Sequence, residues 1–127
     1  MTILLDTHTF LWYIDGSVRL SQAARKLIEA EDSVRLVSLV SLWEIAIKSS
    51  MDKLSLAMSI PALVEHEIYG NGMVLQPITL EHLERLRSLP FHHRDPFDRL
   101  LIAQSLVEGV PILSEDSAFD AYGVVRL

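Results

Sequence analysis

The stretch DPFDRLLIAQSLVEGVPILSED, Asp95 to Asp116, holds a complete helix-to-strand unit. Asp95 is a favoured N-cap residue, and Pro96 suits the first helical position, where its missing N–H costs nothing. Asp98, in the first turn, meets the positive end of the helix dipole. Gly109 closes the helix, because glycine enters the left-handed conformation without a Cβ penalty. Val110-Pro111-Ile112-Leu113 then reads as an apolar strand that stops at Ser114-Glu115-Asp116. A continuous apolar run, rather than an alternating one, is the pattern of a strand covered on both faces.

The same pattern recurs upstream. Thr2-Ile3-Leu4-Leu5 is an apolar run ending at Asp6, followed by a short helix over His8–Ile14 and a turn at Asp15-Gly16. Ser21 caps a helix over Gln22–Ala30, with Ala23, Ala24, Leu27 and Ile28 on one face. Val34–Leu39 is the second strand, and Ser41-Leu42-Trp43-Glu44 opens a helix to about Met51. Ser59 and Pro61 begin a helix that ends near Gly70-Asn71-Gly72, and Met73–Gln76 forms the third strand. Thr79 caps a helix to about Arg87, and Val124-Val125 makes a short fifth strand. Apolar strands alternating with helices predict a three-layer α/β domain, a central parallel sheet flanked by helices. The pattern leaves the strand order open.

The 127 residues suit one domain, residues 1–127, without linker or repeat, and 50% hydrophobic residues supply a core. No run of about 18 uncharged apolar residues predicts a membrane span. Met1–Leu5 leads into Asp6 without a basic segment, so no signal peptide is expected and a cytoplasmic location is. The absence of cysteine removes disulfides, thiolate metal sites and thiol nucleophiles, and fits a reducing compartment. With 11 Lys and Arg against 17 Asp and Glu, the net charge of −6 excludes a generally basic nucleic-acid binder. Setting aside four carboxylates as shared metal ligands leaves 13 acids against 11 bases, so a metal-dependent nuclease stays open.

Open parallel sheets bind ligands beyond the carboxyl ends of their strands. Asp6 follows the first strand, and Asp116 lies just past the fourth. Glu44 and Asp98 fall in first turns of the helices opening at Ser41 and Pro96. Four carboxylates gathered at one edge would raise one another's pKa unless a cation held them ionised. Hard oxygen ligands without cysteine or a clear histidine pair favour Mg²⁺ or Mn²⁺ over Zn²⁺. Such a centre suits phosphodiester hydrolysis and needs no side-chain nucleophile.

Each acid also has a purely structural explanation. Asp6 and Asp95 serve as helix caps, Ser41-x-x-Glu44 is a capping box, and Asp98 meets a helix dipole. Glu44 and Lys48 form an ordinary i,i+4 pair. His92-His93 reads as a solvated loop, while His66 and His82 read as helix-surface residues. Trp12, Trp43 and Phe97 read as core. Arg94, Arg99, Lys48 and Lys53 are the bases nearest the acidic edge, suited either to a substrate backbone or to neutralising the carboxylates.

Four blocks carry a family resemblance. They are Leu4-Leu5-Asp6-Thr7-His8; Ser41-Leu42-Trp43-Glu44-Ile45 with Lys48; His93-Arg94-Asp95-Pro96-Phe97-Asp98-Arg99 with Ile102-Ala103-Gln104; and Leu113-Ser114-Glu115-Asp116. In this order they resemble the PIN-domain family, most closely the VapC-type toxins of bacterial toxin–antitoxin pairs. The resemblance implies a small ribonuclease that cuts RNA with Mg²⁺ or Mn²⁺, leaving a 5′-phosphate and a 3′-hydroxyl. It implies Asp6, Glu44 and Asp98 as core acidic ligands and Asp116 as the more variable fourth. Ser114 stands where the family often has threonine, which keeps the hydroxyl, and with Arg94, Arg99 and Lys48 it is a candidate for binding substrate; Asp95 stays structural. The resemblance also implies a homodimer and a cognate antitoxin. An apolar face on the Gln22–Ala30 and Ser59–Gly70 helices would serve such partners.

A phospho-acceptor receiver domain is the first rival of similar length. It needs adjacent acids after strand one and a lysine after the last strand, whereas Asp6 stands alone and no lysine follows Lys53. A catalytically silent PIN-like module, acting through protein or RNA contacts, is the second. A DNA nuclease of the same chemistry is the third.

Overall fold

A computed structural model describes every residue from Met1 to Leu127. Four strands, β1 (Thr2–Leu5), β2 (Val34–Ser38), β3 (Val74–Gln76) and β4 (Ile112–Leu113), form an all-parallel sheet in the order β3-β2-β1-β4. Leu4 is paired with Leu36 on one side and Ile112 on the other, and Leu5 with Val37 and Leu113. The chain steps outward from β1 to β2 and β3, then returns to β4 on the far side of β1. The winding therefore reverses between β1 and β4, the place where an open sheet parts to make a crevice.

Alternate β1 residues face opposite layers. Ile3 and Leu5 pack with Phe10, Ile28, Val37 and Ile45, drawn from α1 (Thr7–Asp15), α2 (Gln22–Glu29), β2 and α3 (Leu39–Ser50). Leu4 packs on the other side with Leu101, Ile102 and Phe119. Helix α6 (Pro96–Glu108) is the central element of that second layer, buried from Arg99 through Ser105. Its ends form as the sequence predicts. Asp95 accepts from the N–H groups of Phe97 (2.8 Å) and Asp98 (3.1 Å), and Gly109 closes it at φ 64°.

Several elements depart from expectation. Helix α3 begins at Leu39 rather than at Ser41. Ser38 is its N-cap, and Ser41 lies buried inside the helix, accepting from the Thr7 hydroxyl at 2.9 Å. The Ser41-x-x-Glu44 capping box therefore does not form, and Glu44 sits more than a turn into the helix. The Ser59-capped helix runs as α4 (Ile60–Leu63), then widens into a π-helical turn at Val64–Ile68 and tightens at Tyr69–Asn71. The expected fifth strand reduces to a single parallel bridge between Ile112 and Arg126.

Two further differences concern side chains. The apolar residues Ala24 and Ile28 of α2, and Leu63 and Ile68 of the α4 segment, face the core, so neither element presents an apolar stripe outward. His82 is fully buried in α5 (Leu80–Ser88) rather than on its surface; its Nδ1 accepts from the Thr79 N–H and completes a capping box. No helix is long and apolar enough to cross a membrane.

Candidate metal centre

The crevice between β1 and β4 opens onto Asp6. As N-cap of α1, Asp6 accepts the Thr9 N–H at 2.7 Å through Oδ1, and Oδ2 accepts the Ser114 hydroxyl at 2.5 Å. Ser114 Oγ in turn accepts the Asp116 N–H at 3.0 Å, so one hydroxyl orients both acids. Asp116 caps the short helical turn Ser117–Tyr122 and keeps its carboxylate about half exposed. Asp6, His8, Trp12, Glu115 and Asp116 line a cavity of about 180 Å³.

Glu44 and Asp98 come from α3 and α6, two helices in contact with each other. Trp43 meets Phe97 edge-on, with ring centroids 4.8 Å apart, which fixes α3 against α6 one residue before each acid. Trp43 is 48% exposed and so is not the core residue its neighbours suggested. Glu44 is buried; its Oε2 meets Lys48 Nζ at 2.5 Å, while Oε1 is buried without any hydrogen-bond partner. A buried carboxylate oxygen without a donor is costly, and a cation satisfies it directly.

Asp98 shows what the clustering does. Burial, followed by the nearby charge of Asp95, pushes its pKa up from 3.8 to about 7; His93 opposes the rise, and Glu44 and Asp6 add to it. Acids from β1, α3 and α6 thus act on one carboxyl group. The donor set is hard oxygen, and the residues present fit a divalent cation of the Mg²⁺ or Mn²⁺ kind.

His93, read from sequence as a loop residue, belongs to this centre. Its Nε2 lies 3.0 Å from Asp98 Oδ2 and 3.9 Å from Asp116 Oδ2, and the ligand atoms of the three residues fall within 4.8 Å of one another. The Asp95 N–H donates to His93 Nδ1 at 3.2 Å, which places the proton of the imidazole on Nε2. Nε2 lies buried beside both carboxylates without a hydrogen-bond partner. The sequence signal was its spacing from Asp95, two residues before an N-cap whose own N–H is free to hold the ring.

The four proposed substrate-binding residues separate. Ser114 and Lys48 contact Asp6 and Glu44 directly. Arg99 turns away from the acids: it is 6% exposed, and its guanidinium donates to the carbonyls of Pro90, Leu86 and Leu89 and to the Tyr122 hydroxyl. With those donors spent inside the fold, Arg99 has no place on a substrate phosphate. Arg94 is exposed and lines a separate groove beside Phe91.

An all-parallel sheet flanked by helices, whose order reverses between β1 and β4 beside Asp6 and Asp116, is an open α/β fold of the kind that binds ligands at its switch point. The PIN domain family model matches residues 3–125, and the chain belongs to that family. It is 30% identical over 116 residues to Ribonuclease VapC22 of Mycobacterium tuberculosis, covering 91% of this chain and 87% of that protein. Among solved structures, VapBC2 from Rickettsia felis, bound to a promoter DNA fragment, superimposes with a TM-score of 0.74 at 11% identity. That match covers 100% of this chain and 98% of the other. FitAcB from Neisseria gonorrhoeae gives 0.66 at 16% identity, covering 98% and 96%.

Proposed function

We propose that this chain is a metal-dependent endoribonuclease and the toxin component of a toxin–antitoxin pair. The observation that carries the reading is the gathering of acids from separate segments, with Asp98, Asp116 and His93 offering ligand atoms within 4.8 Å of one another and Glu44 Oε1 buried without a partner. That arrangement is unfavourable for a protein alone and favourable for one that binds a cation. Kinship with a protein named a ribonuclease supports RNA as the substrate.

In this reading Asp6, Glu44, Asp98 and Asp116 hold Mg²⁺ or Mn²⁺ directly or through water. A cation held by these residues would supply Lewis acidity, lowering the pKa of a water and offsetting charge on the phosphodiester oxygens. Ser114 fixes the Asp6 carboxylate, Lys48 balances Oε2 of Glu44 and leaves Oε1 for the cation, and His93 Nε2 stands 3.0 Å from Asp98. An antitoxin partner is supported by structural neighbours described as toxin–antitoxin complexes, such as one from Klebsiella pneumoniae with a TM-score of 0.61. A homodimer and a cytoplasmic setting complete the proposal.

The test is cleavage of a labelled mixed RNA by the purified chain with Mg²⁺ or Mn²⁺, with chelator, and with Asp6→Asn alongside. Metal-dependent cutting that disappears in the variant is the expected result. Folded protein, free of inhibitor, that does not cut would overturn the nuclease reading in favour of a silent binding module.

A further inference from the structure

The chain is acidic, and its metal-binding edge repels phosphate until a cation arrives, so a bound nucleic acid strand needs positive charge elsewhere. A groove of about 420 Å³ beside the site supplies it, lined by Leu86, Arg87, Phe91, Arg94, Pro96 and Arg99. Arg94 and Arg99 have no carboxylate within ion-pair distance, and the one partner of Arg87, Glu84, is reached at 3.4 Å with both side chains largely exposed. The Arg99 guanidinium lies 4.1 Å from the centre of the Phe91 ring. Its charge is met only by carbonyl groups and a hydroxyl, so it remains as a fixed positive source beneath the groove.

Phe91 is 85% exposed. Leaving a phenyl ring in water while its underside is held by a buried cation is wasteful for stability alone; the open face is a platform for another flat ring. The groove is separate from the cavity at Asp6, but its Arg94 is the chain neighbour of His93, whose Nε2 lies 3.0 Å from Asp98.

We infer that the Phe91–Arg94 loop and Arg87 form a single-stranded RNA subsite outside the metal centre, with Phe91 stacking a base and Arg87 and Arg94 holding backbone phosphates. The inference rests on the nuclease reading for the direction of the strand. Its chemistry is that of single-strand binding generally, a positive track with an aromatic platform and little sequence readout.

The test uses the full chain carrying Asp6→Asn, with Mg²⁺ present, and fluorescein-labelled oligouridylate as probe. Phe91→Ala should weaken binding about tenfold, as loss of one stacked base does, while Phe91→Trp should retain it. Arg87→Gln with Arg94→Gln should weaken binding and flatten the salt dependence by about 0.7 in the log–log slope for each arginine removed. A change in slope and rescue by tryptophan are readouts that a merely structural role would not give. Variants that melt like the parent and bind RNA like the parent would overturn the subsite, as would a parent that does not bind the probe. Failure of the nuclease reading shows separately, as absence of cutting by the unsubstituted chain on mixed RNA.

Discussion

Ser114 donates to Asp6 Oδ2 at 2.5 Å across 108 residues of sequence, and this bond ties together the two strand ends between which the sheet parts. Both residues are buried, and the same hydroxyl accepts the Asp116 N–H. Ser114→Ala should therefore lower stability by about 1.5–3 kcal/mol, the range for a hydrogen bond to a charged group. It should also weaken metal binding or RNA cleavage by about 10- to 100-fold, as loss of a partner that orients a ligand does. Ser114→Thr keeps the hydroxyl and should restore most of both. Thermal melting and cleavage rate, measured side by side on the two variants, check this; an alanine variant with unchanged cleavage would remove Ser114 from the site.

Asp98 makes the metal-free protein pH-sensitive. An aspartate in an unfolded chain titrates near 3.9, whereas in the fold Asp98 is raised to about 7, chiefly by burial and by Asp95. A raised acid contributes stability that is complete below about pH 4 and is lost as pH rises through about 7. In chelator the protein should therefore lose melting temperature between pH 5 and pH 8, and Asp98→Asn should flatten that loss and melt a few degrees higher at pH 8. Mg²⁺ or Mn²⁺ should raise the melting temperature of the unsubstituted protein at pH 8 far more than that of Asp98→Asn. Equal metal-induced shifts in the two proteins would remove Asp98 from the ligand set.

Lys48 is the protein's own cation for Glu44. Its ammonium meets Oε2, while Oε1 is left without a partner. Lys48→Met leaves a buried carboxylate with no counter-charge, a loss that runs to about 3–5 kcal/mol for fully buried pairs and is smaller here because Lys48 is 37% exposed. Bound metal then has more charge to compensate, so the melting-temperature gain on adding Mn²⁺ should be larger in Lys48→Met than in the unsubstituted chain. Titration of Mn²⁺ with thermal melting measures both effects. A smaller gain in the variant would mean that Lys48 helps to hold the metal site open rather than competing with it.

What the sequence made legible follows the range of the interactions. Asp95, Pro96 and Gly109 set the ends of α6 through contacts within a few residues, and those boundaries emerge from local chemistry. The start of α3 does not, because Ser38 and Ser41 are both good caps locally. The choice is made by long-range bonds: Ser38 Oγ donates to Gln104 Oε1 at 2.6 Å, and the Thr7 hydroxyl donates to Ser41. Asp6, Asp98 and Asp116 stand at a strand end, in the first turn of a helix and just past a strand, as the sequence suggests, whereas Glu44 lies more than a turn into α3. Arg99 and His93 were misread in opposite directions, since nothing local shows that one side chain turns inward to carbonyls and the other outward to carboxylates.

His82 shows the same limit and yields a further prediction. It is fully buried, with Nδ1 accepting the Thr79 N–H at 3.0 Å and Nε2 3.3 Å from Glu108 Oε1. Gln104 Nε2 lies 3.4 Å from the ring and donates to the Pro77 carbonyl, while its oxygen accepts from Ser38, the cap of the helix that carries Glu44. His82→Ala opens a cavity and unpairs the Thr79 N–H, so it should cost about 3 kcal/mol in chemical denaturation. Gln104 keeps its bonds to Pro77 and Ser38, so α3 should stay in place and RNA cleavage well below the melting temperature should match that of the unsubstituted protein. A cleavage rate that falls severalfold in the fully folded variant would mean instead that the buried histidine governs where Glu44 stands.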